Sequence, residues 1–160
     1  MPFSWGYTVG GDAFSLASAV AMAYEKFGRI DDALAWAERI ATFEDVSKGG
    51  NASLNVRLRG LRIQGRCLAA KGQLDEAEAT LCSSAEGLAS IGFHLGAVLS
   101  TRELFCCVMV KTGREAEGKA QLRAAVCRLV GEDAAEEDLD ILAHALGAEV
   151  DLAAILHTSA

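Results

Sequence analysis

Tyr24-Glu25-Lys26-Phe27-Gly28-Arg29-Ile30-Asp31-Asp32-Ala33-Leu34 reads as the end of one helix, a glycine turn and the start of a second helix. The same phrase returns as Leu68-Ala69-Ala70-Lys71-Gly72-Gln73-Leu74-Asp75-Glu76-Ala77, and more weakly as Met109-Val110-Lys111-Thr112-Gly113-Arg114-Glu115-Ala116-Glu117-Gly118. Glycine closes a helix by taking a left-handed conformation that other residues avoid. Asp31 is expected to cap the second helix, with Asp32 beside it at the positive end of the dipole.

Outward from these turns the pattern is helical. Phe14, Leu16, Ala17, Val20, Ala21, Ala23 and Tyr24 recur at three- and four-residue steps, starting from Asp12 as N-cap. The second helix is expected to run through Phe43 to about Val46, and Ser47 to Ala52 to form a loop. That loop carries the glycosylation sequon Asn51-Ala52-Ser53, read here as a polar loop only. Further helices are expected over about 53–71, 75–91, 96–111 and 115–130. The first eleven residues, with Gly6, Gly10 and Gly11, read as irregular. Residues 131–160 hold eight acidic residues and no Lys or Arg, and read as one or two acidic capping helices.

Composition agrees. Pro2 is the only proline, and Ala, Leu and Glu are abundant, which favours helix almost throughout. The opening residues do not resemble a secretory signal, and no apolar run is long enough to span a membrane. Five cysteines without a CxxC pair read as small buried hydrophobes in a reducing, cytoplasmic compartment, with neither disulfide nor zinc and no other cofactor. Cys107 keeps a second reading as a reactive thiol. The net charge of −7 argues against broad binding to nucleic acid.

The turn glycines Gly28, Gly72 and Gly113 are 44 and 41 residues apart, one helix–turn–helix per period. Gly65, Leu68 and Ala77 in the second copy match Ala21, Tyr24 and Ala33 in the first, and Cys106, Met109 and Gly118 in the third. With these residues the chain resembles the tetratricopeptide repeat family in an extended-period form. The small residue marks where two helices touch most closely. The resemblance implies an all-α, right-handed superhelical stack of about three hairpins (12–46, 53–91 and 95–130), capped by one or two C-terminal helices. It departs from the family in its longer period, in lacking the terminal Pro of each repeat, and in Gly118, where the family has Ala.

The resemblance also implies that the first helix of each hairpin lines a concave groove. Matching the turn glycines puts Ser15, Ser18, Met22 and Glu25, then Arg59, Arg62 and Arg66, then Ser100, Glu103, Cys107 and Val110 on that face. The arginines share one stripe. Between Ser47 and Leu74 there is no acidic residue but six basic ones, in an otherwise acidic chain. Two readings of the stripe stand side by side. One is a groove that takes an acidic peptide or partner helix, since an arginine fork pairs bidentately with carboxylate or phosphate. The other is a solvated face balanced by Glu25 and Glu103, with Glu103 pairing an arginine across the groove. A third possibility is that the acidic tail packs against the stripe, in the same molecule or in a neighbouring copy. No catalytic motif is visible, so the chain is expected to be a non-catalytic scaffold rather than an enzyme. An RNA-reading helical repeat fits poorly with the period, the acidic pI and Glu25 and Glu103.

Overall fold

The computed structural model describes residues 12–43 and 51–133, with isolated positions beyond them. The irregular lead expected over 1–11 and most of the expected acidic capping helices lie outside the described residues. Among the described residues six helices follow in order: α1 (Asp12–Lys26), α2 (Ile30–Ala41), α3 (Asn51–Ala70), α4 (Leu74–Ser90), α5 (His94–Leu104) and α6 (Glu115–Val130). Each packs on the next, in sequential pairs. In addition α1 touches α3 and α3 touches α5, whereas the even-numbered helices make at most marginal contact with one another.

The turn phrase is built as its glycine requires. Gly28 has φ of 74°, its N–H donates to the Glu25 carbonyl (3.0 Å), and Arg29 N–H reaches back to the Tyr24 carbonyl (2.8 Å). These two bonds satisfy carbonyls that the helix end leaves free. The turns at Gly72 and Gly113 repeat them, and so does the turn at Gly92, which joins α4 to α5. This tight turn corrects two expectations, and a third is corrected at the start of α3. Arg29 is itself the residue preceding α2, so Asp31 lies inside the first turn and makes no cap. Likewise Phe93 immediately precedes α5, which begins at His94 rather than at Gly96. The supposed polar loop at Asn51-Ala52-Ser53 is the first turn of α3.

The end of α2 also differs. Thr42 leaves the helix with its hydroxyl bonded to the Glu38 carbonyl (2.9 Å), and Phe43 N–H turns to the Ile40 carbonyl (3.1 Å). The helix therefore stops at Ala41 instead of near Val46. Phe43 is nonetheless buried, packed with Ile40 and Val56.

One feature had no counterpart in the sequence pattern. After Leu104 the helix continues as a π turn, Phe105–Met109, in which Val110 N–H donates to the Phe105 carbonyl (3.0 Å). A π turn inserts one extra residue without breaking the helix. Upstream of it, α5 positions match α3 at an offset of 40 instead of 41. On that offset Gly60 matches Ser100, Arg62 matches Arg102, and the core residue Ile63 matches Glu103.

Burial follows this shifted register. Ser100 is fully buried, which corrects its assignment to the groove. Ser84 of α4 donates to the Leu58 carbonyl of α3 (2.6 Å) and shares a hydrogen bond with Ser100 (2.8 Å), tying three helices together. Ser84→Ala is expected to cost about 1–3 kcal/mol, because two buried polar groups lose their partner. Ser100→Ala leaves the Leu58 bond intact and is expected to cost less. Urea denaturation midpoints check the order.

The close helix contacts fall partly where expected. A Cβ on Gly65 would come within 2.5 Å of Leu81 Cγ, so this small residue does admit the neighbouring helix. In the third pair the roles are exchanged. Phe105 is the large member on the α5 side, and a Cβ on Gly118 of α6 would meet it at 2.5 Å. Cys106, expected as the small contact residue, is only half-buried. Gly118 is thus the complement of Phe105, and an alanine there would overpack the contact.

Candidate binding face

The odd-numbered helices adjoin, so their side chains share one continuous face. At its centre lies Arg66. Its Nε donates to Glu25 Oε1 (2.9 Å) and its Nη2 to Glu25 Oε2 (2.5 Å), a bidentate pair between α1 and α3. Its Nη1 reaches Glu103 Oε1 at 3.4 Å, linking α3 to α5. Glu103 also accepts from Arg102 Nη2 at 2.7 Å. The expectation that Glu103 pairs an arginine across the face is met, and the sequence did not single out Arg102 as a second partner.

Glu103 is buried, as its match to Ile63 requires. Burial pushes its pKa up, but the Arg102 hydrogen bond and the charges of Arg66, Arg102 and Arg62 hold it below the ordinary carboxylate value. Burial likewise opposes the charge of Arg66, and Glu25 and Glu103 outweigh it, so its pKa is raised.

Arg62 has a different environment. Burial pushes its guanidinium down to about 10; Arg59 adds to the shift and Glu103 only partly opposes it. Its Nη1 is buried with no hydrogen-bond partner, and no ion pair to Arg62 occurs among the described residues. Arg59, half-buried, stacks its guanidinium over the Phe93 ring at 5.7 Å. Among the described residues, four guanidiniums (Arg59, Arg62, Arg66 and Arg102) therefore share this face with two carboxylates, Glu25 and Glu103.

The other expected residues divide. Met22 is exposed and Ser18 half-buried, with the Ser18 hydroxyl oxygen buried and unpartnered. The register set by Glu25 and Arg66 places Ser18, seven residues before Glu25, level with Arg59. Cys107 lies 3.7 Å from Glu103 Oε2 through its Sγ. Burial and the Glu103 carboxylate push its thiol up to about 12, so it is protonated at neutral pH. A protonated thiol weighs against the reactive-thiol reading. Val110 is exposed. All five cysteines are free, and no group of His, Cys, Asp and Glu suited to a metal occurs among the described residues. No helix among them is long and apolar enough to cross a membrane.

On the opposite side, α4 and α6 part over α5 and leave an open cleft of about 270 Å³, floored by Ala97, Thr101 and Leu104. The Thr101 hydroxyl is occupied by its own helix, donating to the Ala97 carbonyl (2.8 Å). Glu86 and Arg128 stand at the cleft, but convergent polar groups like those around Arg62 are lacking among its described lining residues.

Comparison with protein-family models, with curated proteins and with solved structures finds no match to this chain. The chemistry of the face therefore rests on its own residues.

Proposed function

We propose that the chain is a non-catalytic interaction module that binds an extended peptide or a partner helix of acidic character across the α1–α3–α5 face. The observation that carries this reading is the clustering of Arg59, Arg62, Arg66 and Arg102 on that face, against two carboxylates among the described residues, in a chain of net charge −7. Helix packing adds support. Odd-numbered helices that touch and even-numbered helices that diverge curve a stack toward its odd-numbered side, as in the superhelix that the tetratricopeptide resemblance implies. Exposed Met22 and Val110 add apolar contact on either side of the arginines. Glu25 and Glu103 hold Arg66 in place, which leaves the remaining positive charge to select the partner.

Affinity capture from lysate tests the proposal. A variant with Met22→Glu and Arg59→Glu is expected to lose roughly tenfold or more of the captured partner. A control with Ser83→Glu and Gln121→Glu, both exposed on α4 and α6, is expected to retain it. Equal capture by the two variants would exclude this face.

A further inference from the structure

We infer that this face contains a subsite for an oxyanion, centred on Arg62 and flanked by Arg59 and Arg102, which receives a carboxylate or phosphoryl group from the bound segment. The inference rests on the α1–α3–α5 face being the binding surface and names the chemistry that it selects.

Arg62 is costly where it stands. A guanidinium is always charged at neutral pH, and burying one without a partner is unfavourable. Arg66, one turn further along α3, has two carboxylates within reach. Arg102 has Glu103 at 2.7 Å. Glu103 is thus already shared between two arginines, and the buried Nη1 of Arg62 is left without an acceptor among the described residues. The neighbouring guanidiniums of Arg59, Arg66 and Arg102 all disfavour charge on Arg62. A hydrophobic residue at position 62 would pack at the same place without that cost. An incoming oxyanion would reverse the balance, because it places a negative charge among guanidiniums that repel one another. A planar fork also suits two oxygens of one group, which a lysine does not.

The 160-residue chain is titrated with sodium phosphate against sodium chloride at matched ionic strength, and thermal unfolding is followed. Phosphate at about ten times its Kd is expected to raise the wild-type Tm by about 3–6 °C beyond chloride, in a saturable manner. Arg62→Met is expected to remove this phosphate-specific rise and to unfold at a higher temperature than wild type in chloride. Arg62→Lys keeps the charge and loses the fork, and is expected to lose more than half of the rise, so the test stands even where the Met variant does not fold. Parallel titrations with N-acetyl-aspartate and phosphoserine separate the sources: the larger saturable rise marks the group that the site is shaped for. A wild-type response no greater than in chloride, or an undiminished response in both variants, overturns the subsite. Neither result bears on capture by the Met22 and Arg59 variant, so failure of the subsite and failure of the binding face are told apart.

Discussion

Glu103→Ala is expected to lower the unfolding free energy by about 3–5 kcal/mol. Glu103 occupies a core position of α5, and its carboxylate is the shared partner of Arg66 and Arg102. Removing it leaves two half-buried guanidiniums and the nearby Arg62 with less opposing charge, and opens a gap in the core. Urea denaturation measures the loss, and a cost below about 1 kcal/mol would mean that the pair is no more than a surface ion pair. The same residue sets an acid limit. Its folded pKa is depressed, so its contribution to stability is complete above the unfolded carboxylate value, about 4.3, and is lost as pH falls through the lower folded value. Stability of the wild type is expected to fall from about pH 5 downward. Glu103→Gln cannot titrate, so it is expected to start less stable at pH 7 and to show a shallower decline. Parallel slopes for the two proteins below pH 5 would contradict that role.

Gly60→Ala is expected to cost about 3 kcal/mol, at the upper end for an overpacked core. On an exposed helix the same change stabilises by roughly 1 kcal/mol, so the sign itself is diagnostic. The added Cβ would lie 2.6 Å from the Ala41 backbone nitrogen and 2.8 Å from the Ile40 carbonyl carbon. Backbone cannot turn aside as a side chain can, so α2 and α3 would have to separate. Gly87→Ala provides the comparison. Its Cβ would meet only the Leu58 side chain, at 2.5 Å, and a rotamer change relieves part of the clash. Gly60→Ala is therefore expected to have the lower midpoint in thermal or urea unfolding. The reverse order would mean that α2 and α3 are not in such close contact at Gly60.

Much of the architecture was legible because it is local. Gly28, Gly72 and Gly113 each close a helix through bonds that span six residues, so each turn can be read from a short stretch. Gly92 makes the same turn, but it falls between the glycines that carry the 44- and 41-residue period. The small residues Ala21 and Gly65 were found by their spacing from those glycines. Gly60 was not, since one glycine in a helix carries no mark of what lies against it.

The site was legible in composition but not in arrangement. The absence of acid between Ser47 and Leu74 is plain in the sequence, and the arginine stripe and the company of Glu25 and Glu103 follow from helical spacing. Counting back from Gly113, however, passes through Phe105-Cys106-Cys107-Val108-Met109, five apolar residues with no polar side to fix the phase. The extra residue of the π turn is hidden there. It moves Ser100 and Glu103 inward and brings Arg102 beside Arg62.

By itself the sequence determined the helices, the glycine turns and a basic stripe on an acidic chain, because each depends on residues within a turn or two of one another. Only the tertiary structure decided which charges meet. Glu25 and Arg66 are 41 residues apart in sequence, and Arg66 and Glu103 are 37 apart. Their pairing depends on the register between α1, α3 and α5, which is set by side-chain packing and by one inserted residue. That register satisfies Arg66 and Arg102 and leaves the buried Nη1 of Arg62 without a partner.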